Sequence, residues 1–287
     1  MPYRKRRILW PAVLLAVAGA AFAWWVLHPV PTAHRPPRPR APRLATRAIP
    51  SPTARAVAPS TPQARLAIII DDAGQWLETE RAFIALPIPL TLSVLPDVRY
   101  THLIAREAAA SGKGVMLHLP MEPISEINPG PGKITTQMSD AKITAQVDAD
   151  LADVPLAQGV NNHEGSKATA DARVMRDVAS AIAAHGNLFF IDSLTSAASV
   201  AAATTRAAGI PTATRDVFLD NKANVIYVEQ QLRLAASIAR DRGVAIAIGH
   251  PRPTTLAALK AAIPRIEGEG VRFVLVRDVV SGRYGVR

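Results

Sequence analysis

Apolar positions along the chain fall into three successive patterns. Ile8 to Leu27 is twenty residues without a charge, a length that matches one membrane span. His28 to Ala64 has no apolar period and carries ten prolines, which remove backbone donors and favour extended, solvated geometry. From Leu66 onward, short apolar runs alternate with longer stretches of helical spacing. The strongest run is Leu66 to Gly74, LAIIIDDAG, in which five apolar residues, three of them β-branched, lead into two carboxylates and a glycine. Such a run is a strand buried on both faces that ends at a functional edge. Leu90 to Leu95, Gly114 to Leu119, Leu188 to Ile191, Val244 to Ile248 and Val271 to Val276 read as further strands. Helices are expected over Ala141 to Ala152 behind a Ser139 cap, over Asp171 to Ala184 ending at Gly186, and over Val225 to Asp241 ending at Gly243. Alternation of this kind predicts an α/β domain, with a parallel sheet or barrel inside and helices outside, spanning residues 66–287.

Charge sharpens the division. The chain of 287 residues has a formal net charge of +10, yet no Asp or Glu precedes Asp71 while eleven of its 33 Lys and Arg do. From Asp71 onward 22 basic residues face 23 acidic ones, so the folded part offers no basic face for nucleic acid. There is no cysteine. Any metal site must therefore be built from His, Asp and Glu, which suits a catalytic zinc or a harder ion.

Residues 1–7 hold the basic cluster Arg4 to Arg7, and residues 8–27 end in Trp24 and Trp25. The positive-inside rule keeps that cluster in the cytoplasm and exports the remainder of the chain, so the expectation is a single-pass inner-membrane anchor, a linker over 28–65, and a periplasmic domain. Ala21-Phe22-Ala23 also has the form of a signal-peptidase site, the competing interpretation.

Candidate chemistry sits at the carboxyl ends of the strands, where the loops of α/β sheets converge on one mouth. IIIDDAG ends in Asp71 and Asp72; GVMLHLPMEP carries His118 and Glu122; GVNNHEGS carries Asn161, Asn162, His163 and Glu164. LFFIDS gives Asp192, TATRDVFLDN gives Arg215, Asp216 and Asp220, and VAIAIGHP gives His250. Each alone is a capped turn or a satisfied core residue as readily as a functional one. Three histidines directly behind apolar strands outline a shared polar site.

Taken in order, IIIDDAG, MLHLPMEP, GVNNHEGS, FFIDS, RDVFLDN and AIGHP make Leu66 to about Val280 resemble the divergent polysaccharide deacetylase family. This is a distant branch of the metal-dependent carbohydrate esterases, with a distorted (β/α) barrel. The resemblance implies that Asp71 is the general base and His250 the general acid. It also implies that Asp72 and His118 ligate a divalent metal, zinc by preference. The sequence departs from the family where a second histidine is expected four residues after His118, since Glu122 stands there. Either Glu122 ligates, or His163 completes an Asp-His-His set, the preferred alternative. The usual arginine-proline-aromatic segment is replaced by NNHEGS. Asn161 and Asn162 then either donate to a developing oxyanion or cap a turn. Asp192 either orients an imidazole or pairs with Arg215; Glu164 and Asp216 are further polar candidates around the site. The expected activity is removal of N-acetyl groups from an envelope glycan. A catalytically decayed glycan-binding or envelope-assembly module is the alternative. A metal-free glycosidase using Asp71, Glu122 and Glu164 ranks third, because it has no need of three histidines.

Overall fold

A computed structural model describes residues 63 to 284. The expected span over 8–27, and all but the end of the expected linker, lie outside the described residues. Among those residues no helix is long and apolar enough to cross a membrane. Strand β1, Ala64–Ala73, begins inside the segment assigned to the linker. It is followed by α1 (Leu77–Ile84), β2 (Thr91–Val94), α2 (Thr101–Ala110), β3 (Gly114–Met121), α3 (Asp140–Asp153) and β4 (Gly159–Glu164). Then come α4 (Ala172–Ala184), β5 (Phe189–Asp192), α5 (Ala201–Ala207), β6 (Thr212–Thr214), β7 (Val217–Phe218), α6 (Val225–Arg242), β8 (Val244–Gly249), α7 (Pro253–Gly268), β9 (Val271–Val274) and α8 (Val276–Tyr284). Asp171, expected as the first residue of α4, is its cap, the carboxylate accepting from the amides of Arg173 and Val174, which stabilises a helix by about 1 kcal/mol. Ser139 precedes α3 in extended backbone but makes no side-chain cap bond.

Every strand pairs in parallel, in the order β6-β5-β4-β3-β2-β1-β8-β7, with β9 beside the first half of β1. β1 is thus the axis, flanked by β8 along one side and by β9 and then β2 along the other. Its alternate residues serve two cores. Leu66, Ile68 and Ile70 face the outer helices, while Ala67 and Ile69 join Ile246, Ile248 and Ile191 on the inner face, which Val276, Val279 and Val280 of α8 cover. The expected distorted (β/α) barrel takes the form of a curled half-barrel of parallel strands. Its two edge strands are successive pieces of one stretch: β6 pairs with β5, β7 pairs with β8, and only Arg215 and Asp216 separate them. Two residues cannot form the crossover of a dozen or more that a parallel pair needs, so the edges meet through one stretch without a β6–β7 ladder.

Candidate functional site

In a regular strand, Asp71 and Asp72 would point to opposite faces. The backbone prevents this. The pairing of β1 with β2 shifts register between Ile70 and Ala73, and Asp72 takes φ +57°, a left-handed conformation that Asp tolerates better than most residues. The resulting bulge turns both carboxylates to the same histidine: His118 Nε2 lies 3.7 Å from Asp71 Oδ2 and 3.2 Å from Asp72 Oδ1. Asp72 does not cap α1. The turn before the helix is held instead by buried Glu80, whose Oε1 accepts from the amides of Gly74, Gln75 and Trp76.

Strand register supplies the rest. β3 pairs with β4 so that His118 is opposite Asn161 and Pro120 opposite His163. Asn161 and His163, two apart, share a strand face. His163 Nδ1 consequently stands 3.1 Å from His118 Nε2 and 2.9 Å from Asp72 Oδ1. The three atoms form a nearly equilateral triangle, the one cluster of metal-ligating groups found among the described residues. Tetrahedral zinc with bonds of about 2.0–2.2 Å sets its ligand atoms roughly 3.3 Å apart, so the triangle is the size of one face of such a site.

Protons decide what the triangle can hold. Asn161 is fully buried and donates from Nδ2 to Asp71 Oδ1 at 2.9 Å and to Ser193 Oγ at 3.1 Å. Its Oδ1 is thereby turned to accept from Ser93 Oγ and from His118 Nδ1 at 2.9 Å. With the proton on Nδ1, His118 presents a bare lone pair at Nε2. Asp72 Oδ1 is buried with no donor aligned to it. Three ligand atoms this close need positive charge between them, a shared proton or a metal ion, so the donor set fits a divalent metal. Electrostatics agree. Burial opposes ionisation of Asp72, but the imidazoles of His118 and His163 outweigh it and hold its carboxyl well below the usual range. Burial likewise opposes a charge on His118, yet Asp71 and Asp72 raise its proton affinity above the ordinary value.

Asp71, also buried, makes its close bond to a neutral amide, and burial holds its carboxyl above the usual range. His250 follows β8, whose Gly249 pairs with Ile70. Its Nε2 is 3.8 Å from Asp72 Oδ2, and its Nδ1 is 2.8 Å from Oδ1 of fully buried Asp220. Asp220 Oδ2 also accepts from the His250 amide and from Thr255 Oγ1. Burial lowers the proton affinity of His250, but Asp220 and then Asp72 and Asp71 bring it above the ordinary value. Asp220 was visible in RDVFLDN without a role, because nothing in the sequence ties it to a histidine 30 residues later.

Several expected partners are placed elsewhere. The Glu122 carboxylate is taken up by the Thr136 amide and hydroxyl and by Lys167 at 2.7 Å, so it braces a loop and is not at the triangle. Both N–H groups of Asn161 are used, so it offers none to an oxyanion. Asn162, on the opposite strand face, accepts from the Ser193 amide and donates to the Glu164 carbonyl, joining two loops. Glu164 turns the chain at φ +51°. Asp192 neither orients an imidazole nor pairs with Arg215; it accepts from the Leu194 amide and Ser199 Oγ at 2.8 Å each. Arg215 donates to the carbonyls of Ser193 and Leu194 and lies over the Phe218 ring. Asp216 accepts from the Ile246 amide, at the pairing of β7 with β8.

A cavity of about 200 Å3 opens beside His163. A larger hollow, about 790 Å3, lies at the far ends of the strands around His185, Phe189 and Arg277 and contains none of the residues of the triangle.

The carboxyl edge of this curled parallel α/β domain thus carries an Asp-His-His cluster and, beside it, a carboxylate–histidine pair. The chain belongs to the divergent polysaccharide deacetylase family, whose sequence profile matches residues 68–280. It is 37% identical over 201 residues to an uncharacterized protein of Haemophilus influenzae, covering 70% of this chain and 71% of that one. With the uncharacterized protein YibQ of Escherichia coli K12 it shares 35% identity over 199 residues, 69% of this chain and 62% of that one. A crystal structure of an uncharacterized protein from Agrobacterium tumefaciens C58 has the same fold, with a TM-score of 0.73 at 23% identity over 77% of this chain and 90% of that one.

Proposed function

We propose that the chain is a metal-dependent hydrolase that removes N-acetyl groups from an envelope glycan outside the cytoplasmic membrane, to which residues 8–27 anchor it. The observation that carries this reading is the triangle of Asp72 Oδ1, His118 Nε2 and His163 Nδ1, with sides of 2.9–3.2 Å. These three residues would hold the cation. When bound, a zinc-class ion supplies Lewis acidity, acidifying water and polarising an acyl carbonyl. Asp71, ionised and tied to Asn161, accepts the proton of the attacking water. His250, charged and held by Asp220, returns a proton to the departing amine. Asn161 has two duties, fixing the Asp71 carboxylate and setting the His118 tautomer. Water and the acetamide thus become acetate and a free amine.

The alternative of a decayed binding module draws on Glu122 standing where a second histidine is expected and on the missing arginine-proline-aromatic segment. His163 at the third corner of the triangle supports the hydrolase over that alternative. The test is acetate release from N-acetylglucosamine oligomers by the zinc-equilibrated chain. Release should stop on chelation, return with zinc, and be abolished in Asp71→Asn at unchanged zinc content. Release indifferent to chelation, or intact in Asp71→Asn, would refute the reading.

A further inference from the structure

The cavity beside His163 has walls from three loops. Four of its lining residues are prolines, at 96, 120, 129 and 131, and its polar side chains besides His163 are the amides of Gln75 and Asn128. No charged side chain lines it, so it suits a neutral ligand with apolar faces and hydroxyl edges, for which proline rings and amides are the complementary surfaces. His163 belongs both to this wall and to the Asp-His-His triangle. A molecule seated here abuts the reacting centre.

Size then restricts the ligand. A volume of about 200 Å3 is below the roughly 300–1,000 Å3 of pockets for drug-sized molecules. That is room for one ring with small substituents. The wall after β3 is also braced. The base of its loop is closed by the Glu122 amide donating to the Ile134 carbonyl at 2.8 Å and the Ile134 amide donating to the Pro120 carbonyl at 2.9 Å, the Glu122 carboxylate holds Thr136, and proline fixes φ where it lines the cavity. Nor does the rim provide a platform for a chain of sugars. Among the described residues Trp76 is the one aromatic in the exposed large apolar set, the rest being aliphatic, such as Ile124 and Ile127 in the β3 loop.

We propose that this cavity receives a single neutral sugar ring, so that the site acts on a free or chain-terminal acetylated sugar and not on residues inside a long polymer. The proposal rests on the hydrolase reading for its chemistry, but its binding prediction stands separately. Calorimetry with the zinc-equilibrated full chain compares N-acetylglucosamine with its linear pentamer, and mass spectrometry locates any acetyl lost from the pentamer. Monomer and pentamer should bind within about threefold of each other, and only a terminal ring should lose its acetyl. Asn128→Trp, which fills the cavity from an exposed loop position, should weaken both by at least tenfold at unchanged zinc content and melting temperature. Gln75→Trp, from the β1 loop, should do the same. A pentamer bound thirtyfold more tightly than the monomer, loss of interior acetyl groups, binding unchanged in both variants, or no binding of either sugar would each overturn the proposal. Ring binding without acetate release would remove the hydrolase and keep the pocket. Acetate release unaffected by either tryptophan would do the reverse.

Discussion

Asn161→Ala isolates the role of the triangle's proton arrangement, because Asn161 touches the cation site only through other residues. The substitution deletes four buried hydrogen bonds, to His118 Nδ1, Asp71 Oδ1, Ser93 Oγ and Ser193 Oγ. His118 is 2% exposed, so water cannot replace the lost acceptor. An unpartnered N–H there costs about 1–3 kcal/mol. The ring relieves that cost by moving its proton to Nε2, which removes the lone pair from the triangle. Loss of such an outer partner typically weakens a metal site by about 10–100-fold, and about 1.4–2.7 kcal/mol is the equivalent free energy, within the cost just given. Zinc affinity measured by competition with a fluorescent chelator should therefore fall by one to two decades. Asn161→Asp keeps an acceptor for His118 Nδ1 and should retain zinc far better. An Asn161→Ala chain that melts lower but binds zinc as tightly as its parent would refute the tautomer argument and leave Asn161 a purely structural residue.

Electrostatics and packing set three further outcomes. Asp71 must be ionised to act as base and burial holds its carboxyl above the usual range, so kcat/KM should rise with pH through a value higher than an ordinary carboxylate's. His250 must be protonated and its proton affinity is raised, so the rate should fall only above the ordinary histidine value; Asp220→Asn should move that alkaline limb to lower pH, and an unmoved limb would exclude the pairing. Burial pushes the Asp150 carboxyl up to about 7, with one oxygen unpartnered. The native state thus holds a proton that the unfolded chain releases, and stability falls as pH rises between the ordinary carboxylate value and about 7. Asp150→Asn should therefore raise stability by about 1–3 kcal/mol at pH 8 and change it little near pH 4, as read from melting temperatures at each pH; the range allows for a buried amide left partly unsatisfied.

The strands with apolar runs and the common edge were legible in the sequence, because such runs fix which residues are buried and a polar residue behind one is forced to the end of the sheet; the short β6 and β7 have no such run and were not expected. LAIIIDDAG, GVMLHL and VAIAI announced β1, β3 and β8 in this way. Register and backbone twist stayed open. Alternation gives the face of a residue within its own strand but not its neighbour in the next. Glu122 and His163 therefore stayed alternatives until β3 and β4 were aligned, placing His163 beside Pro120. The bulge that turns Asp71 and Asp72 to one side depends on a left-handed aspartate, for which the sequence carries no sign. Asp192 has the look of a site residue, a carboxylate behind a strand, but its oxygens face the backbone and hydroxyl of its own loop.

The most direct measurement is zinc content together with zinc-edge X-ray absorption of the purified chain. One ion per chain should be found, with two imidazole nitrogens and carboxylate oxygen at about 2.0–2.2 Å. Asp72→Ala, His118→Ala and His163→Ala should lose the ion, and Glu122→Gln should keep it. Full stoichiometry in the three alanine variants, or loss of the ion in Glu122→Gln alone, would contradict the site.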